Sequence, residues 1–334
     1  IMTRLYGRAF AAAGRRIEDY LQFHRLDPFT RVHFEGKAAF DLPAGEEDLR
    51  RLLREVAPED SSQFWSLMQQ IDRVAPIIDE TVFRAPIDQV WQLAHPKLAR
   101  FAQALGFGMT FKSAVDSRFS SPLIKSFFYG FPSYNGQTYN ANSPGSFLIP
   151  HSMIRDGVWW PEGGIGAIPN AYERLARELG CSFRFGVDIT KIDLANDRVQ
   201  SVRSSTGEPF EAEVFVFNAD RCSVGALMGE TEPTTPSFSY FTVHWGVRGS
   251  NSSFGHHTLF VPADFEQGVK RLYTERLFPD RPIVYVNATH VADLSSAPAD
   301  CMNLFAVVTS PAIDHRTPWS ESEQAIATDR VMLE

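Results

Sequence analysis

Gly157-Val-Trp-Trp-Pro-Glu-Gly-Gly-Ile-Gly-Ala-Ile-Pro-Asn170 is the stretch around which the rest of the chain can be read. Two tryptophans and a proline lead into Gly163, Gly164 and Gly166, so the backbone is expected to pass close to a cofactor or a substrate. A helical period follows at once in Ile168, Tyr172, Leu175, Ala176 and Leu179, with Pro169 in the first turn and Gly180 as the stop. A glycine trio at a helix start also suits a phosphate, but Pro169 occupies the place of the third fingerprint glycine. The preceding Trp159-Trp160-Pro161 does not read as a buried strand, and a tight turn joining two lobes is the competing reading.

Downstream, Phe183 and Phe185 alternate as a strand, Ile189 and Ile192 follow, and 199–203 forms another strand. A turn at Ser205-Thr206-Gly207-Glu208 leads to 210–213, and Val214 to Phe217 reads as a short buried strand. Helix, strand, polar meander and buried strand make an α/β layer with an antiparallel flap. Segments 240–247, 283–286 and 304–308 are rich in β-branched and aromatic residues and suit a second sheet.

Upstream the pattern is helical. It covers 6–20, 46–56, 61–78 and much of 86–121, with a hairpin over 30–40 and Asp60-Ser61-Ser62 as capping residues. Trp91, Leu93, Phe101, Phe107 and Phe111, then Phe127, Phe128, Phe131 and Tyr134, load this region with aromatic surface. Such residues either pack a helical lobe or line a hydrophobic cavity or membrane-docking face. The 27 phenylalanines outnumber Tyr and Trp together, which favours an apolar ligand if there is one.

Composition removes several classes. A net charge of −8 argues against nucleic acid as a partner. Cys181, Cys222 and Cys301 are far apart, which suits three buried thiols and a reducing compartment. The histidines, including adjacent His256 and His257, show no ligand spacing, so no metal is expected. There is no nucleophile elbow and no Walker-type lysine. His151, Asp156, Glu162, His290 and Asp293 lie near turns, without a spacing that selects an acid–base pair. No run is long and apolar enough for a membrane span. Ile1 precedes Met2, and Ser320-x-x-Glu323 announces a helix just before the last residue, so the chain is expected to be an interior piece of a longer protein.

Ser143-Pro144 with Leu148-Ile149-Pro150, then Gly157-Val158-Trp159, then Pro161-x-Gly163-Gly164 together resemble the bacterial phytoene desaturases. These are FAD-dependent carotenoid desaturases of the amine-oxidase-like flavoprotein group. Asp188-Ile189-Thr190-Lys191-Ile192, Phe217-Asn218-Ala219-Asp220, His256-His257-Thr258 and Asp293-Leu294-Ser295-x-Ala297-Pro298 with Cys301 are similar to further motifs of that family.

The resemblance implies a mixed α/β (α+β) fold: an incomplete FAD-binding Rossmann-like lobe plus a substrate lobe with an antiparallel sheet and aromatic-rich helices. It implies a substrate or membrane-docking lobe over 1–155, part of the FAD lobe over 156–222, and substrate-lobe sheet and helix over 223–334. The family's Gly-x-Gly-x-x-Gly turn and its C-terminal FAD segment are not in this sequence, so FAD is expected in the intact protein and not to be retained by this piece alone.

Gly163, Gly164 and Gly166 would pass the flavin ring, Ile189 would meet the adenine, and Glu162 and His151 are the candidate catalytic groups. The implied substrate is a long apolar polyene, desaturated by hydride transfer to flavin, in a cytoplasmic enzyme bound peripherally to a membrane. A lipid-binding module without catalysis, a flavin amine oxidase and a retinoid saturase are the alternatives.

Overall fold

The computed structural model describes residues 3–81, 96–136, 138–140, 143–196, 198–230, 238–249, 253–312 and 319–333. Trp91 and Leu93 fall outside them. The helices are α1 (Thr3–Ala12), α2 (Glu46–Val56), α3 (Ser61–Thr81), α4 (Pro96–Leu105), α5 (Phe111–Asp116), α6 (Pro122–Tyr129), α7 (Leu148–Arg155), α8 (Ala167–Glu178), α9 (Arg221–Met228), α10 (Phe265–Tyr273) and α11 (Glu321–Leu333). The strands are β1 (Phe23–Arg25), β2 (Thr30–Phe34), β3 (Phe40–Leu42), β4 (Trp159–Pro161), β5 (Ile189–Ala195), β6 (Arg198–Ser204), β7 (Pro209–Glu211), β8 (Ser239–Arg248), β9 (His257–Val261), β10 (Val284–Asn287) and β11 (Cys301–Ser310). The chain is thus mixed α/β. It divides into two compact units, one of Ile1–Tyr172 with Ser237–Glu334 and one of Glu173–Pro236, the boundary falling inside α8.

The larger unit is built on a six-stranded sheet in the order β3-β2-β9-β10-β11-β8, antiparallel except where β2 runs parallel to β9. Strand alternation gives the sheet two apolar faces. Val284, Val286, Ala306 and Val308 point to one of them and form a cluster with Val331 of α11. Leu259, Tyr285, Phe305 and Val307 point to the other. The main core is mostly helical and aromatic: Phe64, Phe119, Phe127 and Phe147 all meet the ring of Phe128, which is fully buried.

The hairpin β2–β3 and helix α2 form where the pattern puts them, and α3 starts at Ser61. The role of Asp60 is different from that of a cap on α3. Its buried carboxylate accepts from the backbone N–H groups of Ser120 and Ser121, at 2.8 and 2.7 Å, pinning the entry to α6. Helix α1 also ends sooner than its pattern: Gly14 takes a φ of 68°, the Arg15 N–H returns to the Phe10 carbonyl at 2.8 Å, and a 3-10 turn, Ile17–Asp19, follows.

In the smaller unit the antiparallel meander β5-β6-β7 is present. Two expected strands are not. Phe183 and Phe185 stack on each other and form no ladder, and Val214 to Phe217 has no regular structure, with Val214 and Val216 exposed by 77% and 89%. A strand needs a neighbour to satisfy its N–H and C=O groups, and the described residues supply none to either segment. The cysteines are corrected as well: Cys181 and Cys222 are exposed, one following α8 and the other opening α9, and Cys301 is half-buried. The capping box is formed, with Ser320 N–H donating to Glu323 at 2.8 Å and Glu323 N–H returning to Ser320 Oγ at 3.3 Å.

Candidate functional site

The glycine stretch begins with a strand. Trp159–Pro161 pairs antiparallel with β1, and Trp160 and Pro161 are buried, which corrects the expectation that no buried strand precedes the glycines. The strand escapes a periodicity search because it is three residues long and pairs with a segment far away in sequence. Gly163 and Gly164 then hold φ of 78° and 86°, a region that side-chain-bearing residues avoid, while the Gly164 N–H closes a turn onto the Pro161 carbonyl at 3.0 Å. The turn leaves room outside it: a Cβ at Gly166 would meet nothing within 4 Å. One at Gly164 would only touch the Trp160 indole at 3.7 Å.

Behind the turn lies a stack of rings. Trp160 meets His256 edge to face at 4.7 Å, and His256 meets His257 at 4.5 Å. His256 is 3% exposed, and neither of its ring nitrogens has a partner among the described residues. Burial, with His290 nearby, pushes its pKa down to about 4, so the ring stays neutral. Asp293, in the loop after β10, lies near the turn. The Ser295 hydroxyl and N–H donate to its carboxylate at 2.6 and 3.0 Å and are the main reason it lies below the usual range. The Gly163 N–H adds to this, and the Trp160 indole N–H faces it without a well-formed hydrogen bond.

Beside this stack, wholly within the larger unit, opens a cavity of about 1790 Å³. It exceeds the roughly 300–1,000 Å³ of small-molecule sites. One wall is the sheet face carrying Leu259, Tyr285 and Val307, and the other is helical, with Phe64, Phe127 and Phe131. Two histidines line it in contrasting settings. His257 Nδ1 is 2.6 Å from Tyr285 Oη, and burial, then His256, pushes its pKa down to about 3. His151 is on the helical wall with Nε2 2.7 Å from Asp72 Oδ1, and Arg155 donates to the same carboxylate at 2.9 and 2.7 Å. Burial raises Asp72, but Arg155 and His151 outweigh it and keep it ionised below its ordinary value. An ionised carboxylate only accepts, so His151 carries its proton on Nε2. Arg155 reaches on to Glu46, and Arg50, also paired with Glu46, lies 3.9 Å over the Trp65 ring.

The expected site residues therefore separate. His151 and Asp156 line the cavity, as does Ile165 from within the glycine turn. Glu162, Gly163, Gly164 and Gly166 are not among its lining residues. The exposed Glu162 has His24 at 3.5 Å. Ile189 opens β5 in the smaller unit, half-buried. His290 and Asp293 join the surroundings of the turn. The His257–Tyr285 pair and the role of Trp160 had no signal beyond the adjacent histidines and strand alternation, because their partners come from other strands.

Residues 1–226 match the model of the flavin containing amine oxidoreductases. The chain belongs to that family. It is 28% identical to the zeta-carotene-forming phytoene desaturase of Myxococcus xanthus over 93% of this chain, and spans 62% of that protein's length. It is 25% identical to the 4,4'-diaponeurosporene oxygenase of Staphylococcus aureus (strain USA300), covering 99% of this chain and 68% of that one. In fold it is similar to an oxidoreductase from Methanosarcina mazei, with a TM-score of 0.56 at 15% identity over 94% of this chain and 65% of the other. The open turn at Gly163–Gly166, with positive φ and space outside it, fits the flat ring of the flavin that gives the family its name.

Proposed function

We propose that the protein is an FAD-dependent oxidoreductase that desaturates an acyclic carotenoid of the phytoene type. The observation carrying this reading is the 1790 Å³ cavity, walled by aliphatic and aromatic side chains and reaching Trp160 and Ile165 at the glycine turn. A long hydrocarbon has no polar atom to anchor it, so affinity must come from removing apolar surface from water along its length. The cavity supplies that surface, and its volume suits a polyene better than a small amine. The carotenoid names of the two relatives point the same way.

FAD, when bound, supplies the hydride acceptor. The part of this chain's own residues is to hold and to exclude. Gly163, Gly164 and Gly166 would hold the flavin ring, and Ile189 would serve the adenine. The Trp160–His256 stack stiffens the turn, and the aromatic walls keep water from the reacting carbons. His151 is the candidate acid–base group on the cavity wall, its Nε2 directed at Asp72. Glu162, exposed beside His24, is the weaker candidate.

Among the described residues no helix is long and apolar enough to cross a membrane. The exposed Phe107 and Tyr134, 81% and 72%, are the side chains that would dip into a lipid surface in a cytoplasmic enzyme docked peripherally. The test is to purify the intact gene product, record its flavin spectrum, and incubate it with phytoene in liposomes. Flavin absorbance and red-shifted polyene bands are expected. A protein that takes up no flavin yet still binds polyene would be a lipid-binding module instead.

A further inference from the structure

Polarity is unevenly spread over the sheet wall of the cavity. Leu259, Val261 and Val307 are apolar, whereas one cross-strand row reads His257, Asn287, Phe305, His244 through paired positions of β9, β10, β11 and β8. Most of the polar atoms at this end are already used. The Asn287 amide donates to the His256 carbonyl at 2.9 Å, and its oxygen accepts from the Thr289 hydroxyl at 2.7 Å. Asn303, also at this end, accepts from the His290 N–H at 3.1 Å and donates to the Ser296 carbonyl at 3.2 Å. His244 is stacked on Phe305 at 4.4 Å and open to solvent.

His257 differs. Its Nδ1 is taken by Tyr285, and its Nε2 has no hydrogen-bond partner among the described residues although the ring lines the cavity. The ring is neutral, so Nε2 offers an N–H or a lone pair and no charge. Tyr285 stays protonated because burial raises its pKa, and its hydroxyl can serve either tautomer.

We propose that His257, held by Tyr285, is a specificity-determining contact for oxygen, so that the cavity prefers an acyclic polyene bearing a hydroxyl or carbonyl group over the bare hydrocarbon. This rests on reading the cavity as a polyene site. A hydrocarbon filling the cavity would cover Nε2 and leave it unpaired, which a buried polar atom tolerates poorly. A hydroxyl satisfies either tautomer, and a carbonyl satisfies the one with Nε2–H. Sites built to bond a hydroxyl reject the analogue lacking it far more strongly than apolar pockets reject an extra methylene. An ammonium would find no carboxylate in this row, and the acidic lining groups Asp72, Asp79 and Asp156 are engaged on the helical side, by Arg155, by Arg4, and by the Ser152 hydroxyl with Arg4.

The experiment needs no turnover. The intact protein is titrated, by quenching of tryptophan fluorescence, with an acyclic polyene hydrocarbon and with the same polyene carrying one terminal hydroxyl. The wild type is expected to bind the hydroxylated polyene about tenfold more tightly. In His257→Phe and in Tyr285→Phe that preference should shrink towards one, while His257→Asn, which keeps a polar atom, should retain part of it. Unchanged circular dichroism would show that the variants are folded. Equal affinities in the wild type, or a preference that survives His257→Phe, would overturn the inference and leave the polyene reading standing. Failure to bind either polyene would overturn both.

Discussion

His151 and His257 line the same cavity and have been put to opposite electrostatic use. On the helical wall, His151 joins a chain of charges through Asp72, Arg155 and Glu46 to Arg50, braced on Trp65. On the sheet wall, His257 has a phenol and a second neutral imidazole as neighbours, and burial keeps it uncharged. The difference follows from the supporting element. Helices α3 and α7 bring charged side chains to a partly exposed rim. A central strand such as β9 lies between two others and offers its row mainly to the cavity and to its cross-strand neighbours. The partners of a histidine are thus set by the wall, and the residue type alone does not decide them.

The helical wall should depend on its aromatic packing much more than on its ion pairs. Phe128→Ala removes a fully buried ring that touches four other phenylalanines, and should cost about 3–5 kcal/mol in urea unfolding. A loss below about 1 kcal/mol would mean that this wall is held by charge after all.

The sheet wall should reveal itself through pH. In the unfolded chain His257 takes up a proton near its ordinary value of 6.5, and in the folded chain only near about 3. Between those values the unfolded state binds more protons, so the contribution is neutral above about pH 6.5 and grows increasingly destabilising as pH falls towards 3. From pH 7 to pH 5 this amounts to about 2 kcal/mol. His257→Phe should flatten the slope by that amount, and an unaltered slope would show that the ring charges freely in the fold.

Where the sheet-side stack reaches the glycine turn, Gly164→Val places a branched side chain at a φ of 86°. The strain should cost about 1–2 kcal/mol, read from the unfolding midpoint. Flavin content of the intact protein should fall with it, and full occupancy would remove the proposed role of the turn.

The smallest effect is expected from Asp72→Asn. Asp72 is 39% exposed, so its pairing is screened and should be worth less than about 1 kcal/mol at pH 7. Its pKa is depressed in the fold, so this stability is present above the ordinary carboxylate range and is lost as pH falls through the folded value. The variant should therefore lose part of the acid dependence of the melting temperature while leaving the His257 slope intact.

Much of the local structure was legible in the residues. Helix α2 matches its expected limits, α8 runs up to Gly180 as its stop, and the β2–β3 hairpin and the β5-β6-β7 meander follow from alternation and turn chemistry. Patterns failed where a partner was needed. Phe183 with Phe185 and Val214 to Phe217 carry strand alternation but lack a ladder, while Trp159–Pro161 is a strand only because Phe23–Arg25 lies against it. Of the candidate site, His151, the glycines and Asp293 were singled out beforehand, Trp160 only as part of the lead-in to the glycines, and Tyr285 not at all.

What the sequence determined by itself was everything set by neighbours along the chain: helix periods, the turn that Gly163 and Gly164 permit, the capping box at Ser320, and the family carried by its motifs. The tertiary structure alone decided which side chains share a wall. His257 meets Tyr285 only because β9 and β10 pair in one register, and His151 meets Asp72 only because α7 lies on α3. The neutrality of His257 follows from its meeting, since burial is a property of the folded surroundings.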